Sequence, residues 1–138
     1  MKPILPSPTP LQTEDEIRMV KEYLVLVVML DLLEIEVRKL KKLRSGDLRT
    51  SRIYIRKLRG IQSGLPKQLH TLHRNFKTHG MRIIEMNRAK GYIDSRYLCR
   101  GYEYEMMLQG DTVRAEIEVK LAEEFGVDLA AEYGDDEL

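Results

Sequence analysis

Arg38, Lys39, Lys41, Lys42 and Arg44, followed by Arg49, Arg52, Arg56 and Arg59, are the residues of this chain whose type and spacing speak most directly of chemistry. Residues 38–100 hold 18 Lys and Arg against 3 Asp and Glu, while residues 1–37 hold 3 against 7 and residues 101–138 hold 2 against 12. A formal net charge of +1 thus hides a strongly segregated chain, and the segregation is what carries information about partners. If the run is helical, Arg38 neighbours Lys41 and Lys42, and Arg56 neighbours Arg52 and Arg59, at three- and four-residue spacings. Each such like-charged pair costs an isolated helix roughly 0.2–0.5 kcal/mol, so the pattern is kept most easily when something anionic lies across it. Two anions meet the need. One is the backbone of DNA or RNA, where cation contacts release counterions and six to ten of them make affinity fall roughly 10³–10⁵-fold between 50 and 200 mM salt. The other is an acidic protein surface, supplied by the chain's own acidic end, by a neighbouring subunit or by another protein. An acidic segment, residues 127–138, that competed with a ligand for the basic face would be autoinhibitory.

The remaining chemistry-bearing residues have plainer readings. His70 and His73 share a helix face at a spacing from which two imidazoles reach one metal, but no third ligand is evident and His79 stands nearly two turns on. With Lys67, Arg74 and Lys77 they extend the positive surface. Arg100-Gly101-Tyr102-Glu103-Tyr104 matches in part a strand that stacks aromatics on RNA bases, yet Glu103 and Glu105 would repel phosphate and the element order is wrong for that fold. Tyr102 and Tyr104 are expected to pack on helices instead. Cys99 is the single cysteine; it excludes an intrachain disulfide and reads as a buried thiol. Asp31 interrupts the apolar stretch Tyr23–Leu30 and is expected at the edge of a buried face. No phosphate-cradling glycine loop, serine-nucleophile turn, HExxH pair or paired-carboxylate signature occurs, which points to a non-enzyme with no cofactor and no metal.

These side chains need elements to position them. Thr13 followed by Glu16 is a capping box that opens a helix, and Met19, Tyr23, Leu26, Leu30, Leu33, Val37 and Leu40 step by four and three along one face to about Leu43. A second apolar set, Ile17, Leu24, Val28, Leu32 and Ile35, lies beside the first. A helix apolar on more than one side requires two partners: the rest of the domain, and either more of the same chain or a second subunit. The interface with such a subunit falls on Met19, Tyr23, Leu26, Leu30 and Leu33. Ser45-Gly46-Asp47 makes the turn of a helical hairpin, and Tyr54, Leu58, Ile61, Leu65, Leu69, Leu72 and Phe76 mark a second helix from about Leu48 to Thr78, kinked or broken near Gly64 and Pro66. From Gly80 the period changes to two. Met81–Asn87 and Tyr102–Gln109 read as strands of a small antiparallel meander, with a third strand over Tyr92–Cys99. Asp111 or Thr112 caps a last helix carrying Val113, Ile117, Leu121 and Phe125 and ending at Gly126.

The expected architecture is one α+β domain over residues 13–126, between a proline-rich tail, residues 1–12, and an acidic tail, residues 127–138. Residues 1–10 lack the apolar run of a secretory signal, the longest apolar stretch is far short of a membrane span, and a reducing cytoplasm suits the lone cysteine. Two functions follow as expectations. The first is a nucleic-acid-binding accessory or regulatory protein using the nine basic residues named first; the second is a self-associating interaction or adaptor protein built on the long first helix.

Overall fold

The computed structural model describes residues 11–43 and 49–131. In chain order it contains α1 (Glu14–Lys42), α2 (Ser51–Thr78), β1 (Met81–Ala89), β2 (Tyr92–Cys99), β3 (Tyr102–Gln109) and α3 (Gly110–Phe125). The three strands form one antiparallel sheet in the order β1-β2-β3.

The capping box opens α1 as its residue types require. The Thr13 hydroxyl accepts from the Glu16 amide at 3.1 Å, and the Glu16 carboxylate accepts from the Thr13 amide at 2.9 Å. Most of both apolar sets of α1 find cover within one chain, because α1 is central and packs against α2, α3 and the sheet, but Ile17 and Ile35 of the second set remain exposed. Val20, Leu24, Val25, Leu26, Met29, Leu33 and Val37 are all essentially inaccessible to solvent. Within the chain, the sheet and α3 supply the cover on the side away from α2.

The hairpin partner α2 contributes Leu58, Ile61, Leu65 and Phe76 to the core. It continues as one helix through Pro66, so of the two readings, a kink or a break, the break does not occur. Pro66 is exposed; it removes one amide donor and crowds the carbonyl of Gln62 four residues back, and 28 residues of amphipathic packing outweigh that local cost. The turn residues Ser45, Gly46 and Asp47 lie outside the described residues.

In the sheet, β2 alternates cleanly: Ile93, Ser95, Tyr97 and Cys99 are buried against the helices. β1 does not alternate, because Ile83 pairs with Tyr97 and Glu85 with Arg96, leaving Ile84 as an extra residue in a β-bulge. The bulge resets the phase so that Met81, Ile83 and Met86 all turn inward. Ser95, buried under it, donates to the Glu85 carbonyl at 3.0 Å and satisfies a group the bulge disturbs. β3 leads directly into α3, whose N-cap is Gln109 with no side-chain cap bond. Asp111 and Thr112 thus stand inside the first turn instead of capping it; Asp111 still lies at the positive end of the helix dipole. Gly126 ends α3 in the left-handed conformation, φ 70°.

Candidate functional sites: a cationic hairpin end and a buried carboxylate

The end of the α1–α2 hairpin collects the basic run. Arg38, Lys39, Lys41, Lys42, Arg49, Arg52 and Arg56 are exposed and Arg59 is half-buried; Arg44 lies outside the described residues. Glu34 divides this set. Its carboxylate accepts from Arg59 Nη1 at 2.7 Å, from Gln62 Nε2 at 3.0 Å and from Arg38 Nε at 3.1 Å. Gln62 and Arg59 hold the Glu34 carboxyl well below the ordinary carboxylate range, down to about 2. Lys39, Lys41, Lys42, Arg49, Arg52 and Arg56 make no ion pair with another described residue.

Two contacts fix which way the hairpin faces. Arg59 reaches Glu34 on α1, whereas Lys57, two residues earlier and so about 200° round the helix, places its ammonium 5.6 Å from the centre of the Phe125 ring of α3. The flank of the hairpin bearing Glu34, Arg38, Lys41, Arg52 and Arg59 is thus turned away from α3. The ion pairs that tie α3 to the rest of the chain lie toward the start of α1, where Glu116 meets Lys21 at 3.4 Å and Lys120 meets Glu22 at 2.7 Å; Glu118, Glu123 and Glu124 make no ion pair with another described residue. Among the described residues the acidic last helix does not neutralise the basic hairpin. Residues 132–138 of the acidic tail lie outside the described residues.

A different charged assembly closes the opposite end of α1. Glu16 is 2% exposed, and its carboxylate takes a two-point hold from Arg100, at 2.5 and 2.9 Å. His79 Nδ1 stands 2.9 Å from the same carboxylate and Cys99 Sγ donates to it at 3.5 Å, while Arg100 also donates to the backbone carbonyls of His79 and Leu11. Arg100 holds the Glu16 carboxyl far below its ordinary range against the opposing pull of burial. Burial pushes the Cys99 thiol up, keeping it protonated and a donor. The turn that presents Arg100 consists of Arg100 and Gly101, both left-handed at φ 51° and 89°, the geometry of a tight hairpin. Gly80 permits the approach: a Cβ there would lie 3.2 Å from the Arg100 side chain, and its carbonyl accepts from the Arg100 amide at 2.8 Å.

The other singled-out residues are placed as follows. Of the predicted interface set, Leu26 and Leu33 are fully covered within the chain, while Met19, Tyr23 and Leu30 are half-buried against the same core. His73 packs edge-on against Tyr23 and Phe76, His79 serves the Glu16 cluster, and His70 is exposed. Among the described residues no three His, Cys, Asp or Glu side chains converge to hold a metal ion. Tyr104 stacks on Tyr97 at 5.8 Å on the helix side of the sheet, the wrong side for stacking on bases. Asp31 is exposed and pairs with Arg88 at the end of β1, not with an arginine of the hairpin. The outer face of the sheet is polar: Arg96 bridges Glu85 and Glu103 at 3.2 and 2.7 Å. No helix among the described residues is long and apolar enough to cross a membrane. The Glu16 cluster was beyond sequence reasoning, since Arg100 lies 84 residues from Glu16 and the capping box already explained the glutamate.

Comparison with known proteins places the chain in a family: the model described as YhjD protein matches residues 11–129, nearly the whole described chain, and the chain belongs to that family. No curated protein and no solved structure gives a significant match.

Proposed function

We propose that this member of the YhjD protein family is a small accessory protein that binds nucleic acid through the cationic end of its α1–α2 hairpin. The observation that carries the reading is the division of labour among charges. Six exposed Lys and Arg side chains on that end have no carboxylate partner among the described residues, although the same chain pairs Lys21, Arg88, Arg96, Arg100 and Lys120. Cations left open on a rigid scaffold attract phosphate, and each phosphate contact contributes counterion release without reading sequence. A fluorescence-anisotropy titration against labelled DNA and RNA, repeated at several salt concentrations, tests it. Micromolar binding with a steep salt slope is expected; no binding at 50 mM salt removes the proposal.

A second reading, self-association, is favoured by a different observation. An open, mainly apolar groove runs between α1 and α3, lined by Leu32, Ile117, Leu121, Phe125, Val127 and Leu129. This surface differs from the Met19–Leu33 face, because α2, α3 and the sheet already cover the deepest residues of that face. Light scattering at high protein concentration tests it, and a monomeric mass would end it.

A further inference from the structure

We infer that Tyr54 is a stacking platform for an unpaired base, so that the hairpin end contacts single-stranded nucleic acid through a base as well as through phosphate; the inference rests on the nucleic-acid reading above and narrows it. In the sequence Tyr54 heads the apolar stripe that continues through Leu58, Ile61 and Leu65. Those three are 8%, 8% and 1% exposed, whereas Tyr54 is 44% exposed and its neighbour Ile53 is 66% exposed. An aromatic and a branched apolar side chain therefore stand together in water in the first turn of α2, at the end of the hairpin that carries the open cations.

The surroundings of this pair are positive. Arg56 and Lys57 follow Ile53 by three and four residues, and Lys57 follows Tyr54 by three, the spacings at which side chains on a helix are neighbours. Arg49 lies just before the Thr50 cap, Arg52 directly precedes Ile53, and all four cations are exposed. The first turn of α2 contains no acidic residue to repel a phosphate. A lone exposed apolar side chain is ordinary on a protein surface. Here two adjoin, one of them aromatic, and cations edge them.

Phosphate contacts need only the cations, whereas contact with a base needs a flat apolar surface. A base within a duplex is already stacked on its neighbours above and below. A base in a single strand is free to lay a face on an exposed aromatic, and the gain does not depend on which base it is. Of the aromatics of the hairpin, Tyr23 and Phe76 are engaged with each other and with His73. Among the described residues Tyr54 packs against no other ring and its hydroxyl has no hydrogen-bond partner.

The experiment compares three ligands with the full chain: an oligothymidylate of about 20 nucleotides, an abasic strand of equal length that keeps the phosphates and lacks the bases, and a duplex of equal length. The wild type should bind the oligothymidylate about tenfold more tightly than the abasic strand, and Tyr54→Ala should erase that difference. Tyr54→Phe keeps the ring and should restore it. Stacking releases no counterion, so the salt slope for the oligothymidylate should be the same in Tyr54→Ala as in the wild type. Because the chain contains no tryptophan, Tyr54→Trp supplies a reporter at this one position. Its emission should be quenched by the oligothymidylate and not by the abasic strand at equal saturation. If Tyr54→Ala binds the oligothymidylate as the wild type does, if it loses affinity for all three ligands alike, or if the abasic strand quenches Tyr54→Trp equally, the stacking inference is overturned and nucleic-acid binding stands. Failure of the wild type to bind any of the three at about 50 mM salt overturns both readings.

Discussion

The two ends of α1 treat charge in opposite ways. At its first turn a carboxylate is buried and every lone pair is engaged: Arg100 from the β2–β3 turn, His79 from the end of α2, Cys99 from β2 and the Thr13 amide all converge on Glu16. At its last turns the charges are exposed, and most have no partner among the described residues. The first arrangement joins three distant parts of the chain; its partners are specific in position and useless to a ligand. The second, apart from the bonds of Arg59 and Gln62 to Glu34, joins nothing among the described residues. The Glu16 carboxylate is thus satisfied by the chain itself, while six cations of the hairpin end have no ion-pair partner among the described residues, as is also true of Lys67, Arg74, Lys77, Arg82 and Lys90 elsewhere; what sets the hairpin end apart is the density of its cations. Substitutions at one end should therefore move stability and leave binding alone, and substitutions at the other should do the reverse.

The largest expected effect is at the buried end. Arg100→Ala strands Glu16, and a carboxylate 2% exposed that remains charged without its partner costs about 3–5 kcal/mol. Thermal unfolding should show a midpoint lowered by ten degrees or more, while nucleic-acid affinity measured below that midpoint stays within a factor of two. An unchanged midpoint would mean that the cluster contributes no net stability.

Next in size is the open end. Replacing Lys41, Lys42, Arg52 and Arg56 together by alanine should leave the melting midpoint within two degrees. The salt slope should become shallower by about one unit per lost phosphate contact, and at low salt the affinity should drop on the order of 100-fold. If the quadruple variant binds as the wild type does, the cations are surface solvation and the proposed function is wrong.

A smaller effect comes from pH, and its sign follows from the depressed carboxyls. Glu16 and Glu34 are both held below the ordinary glutamate range, near 4.3 in an unfolded chain. Their contribution to stability is complete above that value and is lost as pH falls through the folded values, because the unfolded chain then binds more protons than the native one. Glu34, with its folded value at about 2, loses its share between roughly pH 5 and pH 2. Glu16→Gln has no proton to bind at that site. Its melting midpoint should start below that of the wild type at pH 7 and approach it on acidification; a constant gap from pH 7 to pH 3 would show that the cluster acts through packing and not through charge.

Elements whose signals are local could be read from the chain. The Thr13–Glu16 capping box, the doubled apolar stripe of α1, the alternation of β3 and the glycine that ends α3 each involve residues within a turn or two of one another. Where the reading went astray, a non-local gain outweighed a local cost. Pro66 left a kink and a break both open, and the break does not occur because the apolar stripe continues past it. The bulge at Ile84 breaks the alternation of β1 and is compensated by Ser95 on the next strand. The doubled stripe of α1 announces a second partner without saying which one, because coverage by the sheet and α3 leaves the same trace in the sequence as coverage by another subunit. The basic run was evident from composition, but only coordinates separate Arg38 and Arg59, tied to Glu34, from the six open cations.

Glu34 is where the two treatments of charge meet, and substituting it sharpens the comparison most finely. Among the described residues it is the one carboxylate on the basic flank, and it holds both Arg38 of α1 and Arg59 of α2. Glu34→Gln keeps the shape and the capacity to accept from Arg59 but removes a negative charge from the proposed binding face. If Glu34 is there only to relieve repulsion among arginines, its loss frees them for ligand: affinity should rise a fewfold and the salt slope should steepen by about one. If instead it pre-organises the arginines, as a bidentate partner can by restricting their rotamers, affinity should fall although the net charge has become more positive. The geometry favours relief of repulsion, since Arg38 is largely exposed and meets Glu34 through Nε alone, leaving both terminal nitrogens of its guanidinium available to a phosphate. A weaker-binding variant would move Glu34 from the structural ledger of the hairpin to its binding face.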